Sequence, residues 1–260
     1  MKLEILANTL LKEKRYLLEL SVPKEFPQCV PGQFLHMRIE DSCDPLLRRP
    51  FSIHDFKQAE KKGNGVIKIL YEVVGKGSAL LSQKQPSSVV DVLGPCGHGF
   101  DLSKIEKAKK IYIVAGGMGM APLYFLAKTL SGKKPIVLLG ARTKDQLLAE
   151  RELKKLKLDV SISTDDGSKG TKGKVTEVLS DLLKKDKTDG SIMICACGPK
   201  PMLAAVSELG RRYNIGAFVS MEEFMGCGLG ACLGCAIRTI DGYKRICHDG
   251  PVFDSKELAW

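Results

Sequence analysis

Residues 111–130 read IYIVAGGMGMAPLYFLAKTL. The opening run is apolar and rich in β-branched side chains, which predicts a strand buried on both faces. The closing APLYFLAKTL has the apolar spacing of a helix. Between them stand Gly116, Gly117 and Gly119, with Pro122 placed for the first helical turn, where a missing N–H leaves nothing unpaired. Glycines at such a turn let a backbone approach a pyrophosphate, and the following helix offers open N–H groups and a positive dipole end. The order is Gly-x-Gly-x-x-Pro and not the full Gly-x-Gly-x-x-Gly fingerprint, so a plain tight turn competes until the context is read.

The context downstream favours a nucleotide site. PIVLLG, a charged helical stretch to Leu156, LDVSIST, VTEVLSDLLKK, SIMICACG, KPMLAAVSELGRR and GAFVS alternate apolar strands with helices. That alternation is the mark of a doubly wound parallel sheet. Two further loops leave the carboxyl ends of later strands, where ligands bind in such sheets: the one after Thr164 in STDDGSKGTKG, and CGPKPM from Cys197. Asp165 and Asp166 suit ribose hydroxyls and equally suit a solvated acidic turn. GSKGTKGKV is not a Walker A loop, because Val175 stands where Ser or Thr is required. No carboxylate closes the second strand, where Gly140-Ala141-Arg142 stands, so the usual ribose rule does not separate NAD from NADP.

Upstream the texture differs. LEILANTLL, YLLELSV, QFLHMRIE, FSIHDF, VIKILYEVV and VVDVLG are short apolar segments divided by turn residues, predicting a small antiparallel β-barrel. Within it, RRPFS brings Arg48 and Arg49 to a strand, and VVGKGSALLS runs from a strand into a short helix. Arg49 supplies a forked cation for a phosphate, Ser52 a hydroxyl, and Gly75-Lys76-Gly77-Ser78 a turn with exposed N–H donors. Taken singly, Arg49 also reads as a surface ion-pair partner and the glycine turn as a hairpin.

Near the carboxyl end, MEEFMGCGLGACLGC is followed by Cys247, giving Cys227, Cys232, Cys235 and Cys247 in a Cys-x4-Cys-x2-Cys-x11-Cys pattern laced with Gly226, Gly228, Gly230 and Gly234. Clustered thiolates repel one another and call for a metal centre, while glycines let the backbone curl and aim N–H groups at sulfur. The first three spacings match a plant-type [2Fe–2S] loop. Zinc favours two separated Cys-x2-Cys pairs, and only Cys232 and Cys235 form one; zinc or a disulfide stays as the alternative.

The chain has 260 residues, nine cysteines and a formal net charge of +10. The length suits domains at 1–102 (barrel), 103–220 (α/β) and 221–260 (cysteine lobe). Neither a signal-peptide h-region nor a membrane-spanning run is visible, which predicts a cytoplasmic protein without a membrane partner. In that setting Cys29, Cys43, Cys96, Cys195 and Cys197 read as buried small hydrophobes. The lysines lie on amphipathic helical faces without an aromatic-studded stripe, which argues against nucleic acid. His36, His54, His98 and His248 have no metal spacing and read as surface or satisfied core residues.

The order of these motifs resembles the ferredoxin-reductase family of flavoproteins. Pro31-Gly32-Gln33-Phe34, Arg49-Pro50-Phe51-Ser52, Gly77-Ser78, Gly117 to Pro122 and Cys197-Gly198-Pro199 stand in that family's sequence over residues 1–220. EEFMGCGLGACLGCAIRT and YKRICHDGPVF are similar to the iron–sulfur lobe of the electron-transfer subunits of two-subunit, NAD-linked dihydroorotate dehydrogenases. The resemblance implies FAD held by Arg49, Pro50, Phe51, Ser52, Gly75, Gly77 and Ser78, and a [2Fe–2S] cluster on Cys227, Cys232, Cys235 and Cys247. It further implies NAD near Gly117, Gly119 and Cys197. It also implies a catalytic partner subunit carrying FMN, in a heteromeric complex (a heterotetramer) of pyrimidine biosynthesis. No base for the substrate is expected in this chain. A related FAD and [2Fe–2S] small subunit of a transhydrogenase or soluble hydrogenase is the second reading, and a non-enzymatic regulator binding zinc and a nucleotide is the third.

Overall fold

In the computed structural model, which describes residues 1–60, 63–186 and 191–260, the N-terminal apolar segments form seven strands. These are β1 (Lys2–Lys12), β2 (Arg15–Val22), β3 (Phe34–Arg38), β4 (Arg49–Ser52), β5 (Asp55–Lys57), β6 (Gly65–Glu72) and β7 (Val89–Cys96), with helix α1 (Lys76–Gln83) between the last two. Their order is β4-β3-β7-β1-β2-β6-β5, antiparallel throughout. FSIHDF, expected as one strand, is two: β4 pairs with β3 at one edge and β5 with β6 at the other. Across the break, the Ile53 N–H donates to the Gln33 carbonyl at 3.0 Å and the His54 N–H to the Lys68 carbonyl at 2.8 Å. A single short segment therefore supplies both edges, which is possible only if the sheet curls closed, and closure removes the exposed edges of an open sheet. Leu3, Ile5, Leu18, Leu20, Leu35, Met37, Ile53, Ile67 and Ile69 fill the barrel and are essentially inaccessible to water.

The next stretch carries α2 (Leu102–Ile105), β8 (Lys110–Gly116), α3 (Met120–Thr129), β9 (Ile136–Ala141), α4 (Glu150–Lys155), β10 (Asp159–Thr164), β11 (Thr171–Lys172), α5 (Val175–Lys185), β12 (Ile192–Cys197), α6 (Lys200–Arg212) and β13 (Gly216–Ser220). After it come β14 (Ala236–Thr239), β15 (Gly242–Arg245), α7 (Ile246–Asp249) and β16 (Val252–Asp254). The second sheet runs β11-β10-β9-β8-β12-β13-β16, parallel except for β16, which pairs antiparallel with β13. Chain order reverses at β8, which lies between β9 and β12, so Gly116 ends the strand at the topological switch point. The doubly wound expectation is met. The link into this sheet is the single turn of α2, capped by Asp101, whose carboxylate accepts the Lys104 N–H at 3.2 Å.

By internal packing the chain divides into two units. Residues 1–99, 222–237 and 244–251 make one, and 100–221, 238–243 and 252–260 the other. The expected separate segment 221–260 is thus shared: its cysteines pack within the barrel unit, and β16 extends the parallel sheet. A segment that short has too little apolar area for a core of its own. Of the five further cysteines, Cys29 and Cys195 are buried as expected, but Cys43 is exposed and Cys96 and Cys197 are half-buried. Among the described residues no helix is long and apolar enough to cross a membrane.

Candidate functional site

In the barrel unit the structure brings Arg49 and Gly77 together. A Cβ on Gly77 would stand 3.0 Å from Arg49 Nε and 3.2 Å from its Cγ, so the arginine lies across the first turn of α1 and a side chain there would crowd it. Arg49 donates to the Leu47 carbonyl from one end of its guanidinium. The first N–H groups of α1 have no partners within the helix, which with the arginine makes a cradle suited to a phosphate. Ser78 has a structural task at this turn. Its hydroxyl accepts the N–H groups of Val74 at 2.9 Å and Gly75 at 3.2 Å and donates to the Gly75 carbonyl at 3.0 Å, so it caps α1. Pro50, Phe51 and Ser52 lie half-buried along β4, opposite His36, Leu35 and Phe34 of β3. Phe51 meets the Tyr71 ring edge-on at 5.7 Å.

In the α/β unit, Gly119 and Cys197 are neighbours. A Cβ on Gly119 would overlap the Cys197 carbonyl and stand 2.9 Å from the Gly198 nitrogen, so the two strand ends can meet this closely only over glycine. Gly117 is different: its φ is +55° and a Cβ there would meet nothing within 4 Å. Open space over a glycine turn at the switch point is where a dinucleotide phosphate fits. Asp166 takes the acidic-turn alternative, accepting the Ser168 N–H at 2.9 Å and hydroxyl at 2.7 Å.

The four cysteines are gathered two and two. The Cys227 N–H points to Cys232 Sγ and the Cys232 N–H to Cys227 Sγ, both at 3.4 Å; the Cys247 N–H points to Cys235 Sγ at 3.4 Å. Leu229 donates to Cys227 Sγ at 3.4 Å and Gly230 to Cys247 Sγ at 3.1 Å. These donors act on the thiols in opposite settings. N–H groups of Leu229 and Cys232 draw the Cys227 thiol down to about 6, a direct preference for the thiolate. Burial pushes Cys247 up to about 12, with Cys235 beside it adding to the rise. A metal that replaces both protons resolves the conflict. Among the described residues no three His, Cys, Asp or Glu side chains converge as they would on a single ion. A two-and-two arrangement of thiols, each with backbone N–H groups aimed at sulfur, fits a binuclear iron–sulfur centre.

Two side chains at this loop were not singled out from sequence. His36 is completely buried, against the expectation of a surface or satisfied histidine, and neither ring nitrogen completes a hydrogen bond. Its ring approaches the backbone of Arg48 and Cys227, and burial holds its pKa below the ordinary value. A Cβ on Gly228, whose φ is +71°, would collide with Nδ1 of this ring. Arg245 donates to the Gly230 carbonyl at 2.8 Å and to both carboxylate oxygens of Asp249. The glycine lacing of the loop was the available signal for the first, and the charged pair flanking Cys247 for the second.

Comparison with known proteins agrees with this layout. Residues 222–259 match the iron–sulfur cluster binding domain of dihydroorotate dehydrogenase B, and residues 113–208 match an oxidoreductase NAD-binding domain. The electron transfer subunit of dihydroorotate dehydrogenase B (NAD(+)) from Bacillus caldolyticus is 42% identical, over 99% of this chain and 98% of that one. The Desulforamulus reducens counterpart is 39% identical, over 99% and 97%. The chain belongs to the family of dihydroorotate dehydrogenase B electron transfer subunits.

As a member of that family it is an electron-transfer subunit of an oxidoreductase, with FAD, a [2Fe–2S] cluster and NAD as the cofactors that membership carries. Among solved structures, that of an NADH-dependent reduced ferredoxin-NADP oxidoreductase aligns with a TM-score of 0.84 and 30% identity, covering 99% of this chain and 90% of that one. A ferredoxin NADP+ reductase from Neisseria gonorrhoeae aligns at a TM-score of 0.66 and 18% identity, over 82% and 91%, and shares the fold. The paired thiols, the Arg49–Gly77 cradle and the open turn at Gly117 are the features whose geometry would fit a cluster, a flavin nucleotide's phosphate and a dinucleotide's phosphate.

Proposed function

We propose that this chain relays electrons between a dihydroorotate-oxidising partner subunit that carries FMN and NAD, within a heterotetramer of pyrimidine biosynthesis. The observation that carries the reading is the pairing of Cys227 with Cys232 and of Cys235 with Cys247 on the same unit that bears the Arg49–Gly77 cradle. When bound, FAD converts between hydride and single-electron transfer, and the cluster carries electrons singly. The chain's own residues bind and orient. Arg49 and the first turn of α1 hold the FAD pyrophosphate, the four thiols hold the irons, and Gly117 and Gly119 admit the NAD pyrophosphate with Cys197 beside them.

The cysteine loop exposes several large apolar side chains. Phe224, Leu229 and Leu233 are 93%, 64% and 63% exposed, side chains that water would not favour unless something covers them. We assign this patch to the partner subunit, which would bring its own cofactor near the cluster. Co-expression with an FMN-binding dihydroorotate dehydrogenase should yield one complex that reduces NAD with dihydroorotate, and Phe224→Asp should release the partner while leaving iron and FAD in this chain. Recovery of this chain with a different redox protein would overturn the reading.

The 30% identity to the NADH-dependent reduced ferredoxin-NADP oxidoreductase favours a second reading, a transhydrogenase small subunit. The identity to dihydroorotate dehydrogenase B subunits is greater, at 42%. Reduction of NAD by ferredoxin and not by dihydroorotate would reverse that order.

A further inference from the structure

Cys247, paired with Cys235, belongs to a closed ring of contacts that runs through Arg245. The Arg245 backbone N–H donates to Asp249 Oδ2 at 2.7 Å, Nε donates to the same oxygen at 3.1 Å, and Nη2 to Oδ1 at 3.3 Å. The remaining end of the fork, Nη1, donates to the Gly230 carbonyl at 2.8 Å. Gly230 in turn presents its N–H to Cys247 Sγ at 3.1 Å, the shortest of the N–H···S contacts in the loop. Cys247 and Asp249 sit on the same short turn, α7, so the ring closes on itself. His248 braces it: its Nδ1 lies 2.8 Å from Asp249 Oδ1, and a Cβ on Gly230, whose φ is +81°, would come within 2.9 Å of His248 Cβ.

A guanidinium is suited to this task and an ammonium is not. The planar fork grips a carboxylate with two donors while a third points elsewhere, and the geometry is fixed in advance. Hydrogen bonds to sulfur and local charge set the potential of an iron–sulfur centre.

We infer that Arg245 is a positioning residue for the iron–sulfur centre: held by Asp249, it fixes Gly230 so that the Gly230 N–H stays on Cys247 Sγ, and thereby raises the reduction potential of the cluster. The N–H···S bond favours the reduced, more negative form, so losing the brace must lower the potential. This inference rests on the family reading of the four cysteines. It adds a residue that touches no iron.

The test is an EPR-monitored redox titration of the complete chain, purified without air together with its partner, with iron and FAD assayed on the same sample. Arg245→Gln should keep iron and FAD and shift the oxidised-to-reduced ratio at fixed potential about tenfold toward oxidised, which is ~59 mV for one electron. Arg245→Lys keeps the charge without the fork and should shift it the same way. Asp249→Asn separates positioning from simple charge. Removing a negative charge alone would raise the potential, whereas loosening the arginine lowers it. A downward shift supports the inference; no shift, or an upward one, overturns it. Should Arg245→Gln fail to assemble the cluster, Asp249→Asn, which retains the guanidinium, carries the test. A wild-type sample without iron would instead sink the reading of the cysteines.

Discussion

Two of the glycine-rich loops do opposite things with the same residue. In the cysteine loop, Gly228 and Gly230 take left-handed backbone, at φ of +71° and +81°, and each is pressed against a histidine: His36 for the first, His248 for the second. Glycine there turns N–H groups toward sulfur inside a filled space. In the loop after β8, Gly119 is pressed against the Cys197 carbonyl, but Gly117 looks into open space. Glycine there clears room for something the chain does not supply. A loop that carries its ligand's donors is packed from behind, and one that receives a phosphate is left open in front.

The largest effect expected is on the donors themselves. Cys232→Ser should remove the cluster's visible absorbance and its iron while FAD stays bound; loss of FAD with retention of the iron would reverse the roles assigned to the two halves of the barrel unit. Next is the crowded glycine of the open loop. Gly119→Ala forces a methyl into a backbone carbonyl that cannot swing aside, and should cost about 3 kcal/mol of stability, read as a lowered melting temperature. An unchanged melting curve would show that the β8 and β12 ends do not meet as described. Gly228→Ala adds left-handed strain to a collision with His36 and should cost about 2 kcal/mol and deplete iron. His36→Ser in the same chain should recover part of that loss, because it frees the space. Equal loss in single and double variants would break the claim that the cysteine loop is packed from behind. The last of the four acts on binding alone and is a charge effect. Arg49→Ala should weaken FAD retention by about 2 kcal/mol, one charged hydrogen-bonding contact, seen as faster flavin loss on gel filtration with the cluster intact.

Much of this was visible in the residues alone, for physical reasons. Strand segments such as YLLELSV and IYIVAGG declare themselves because alternation and continuous apolarity follow directly from which faces are buried. The Cys227 to Cys247 spacing was legible because metal chemistry restricts both residue type and spacing. What sequence could not show depends on pairing at a distance. The split of FSIHDF into β4 and β5 comes from closing the barrel, and the sharing of 221–260 comes from β16 finding the free edge of β13. That the Ser78 hydroxyl caps α1 was not legible either, since only the positions of Val74 and Gly75 decide its partners. His36 was passed over because a lone histidine on a strand carries no signal until the loop that covers it is in place.

If one chain holds paired irons and a flavin and passes electrons between them and NAD, anaerobic titration of the purified chain with NADH, followed by visible and EPR spectra, will show it. Two irons and one FAD per chain are expected, with flavin bleaching on addition of NADH and the appearance of a reduced [2Fe–2S] signal that Cys232→Ser abolishes. A colourless chain, or a flavin that NADH bleaches without any iron–sulfur signal in the iron-loaded protein, would contradict it.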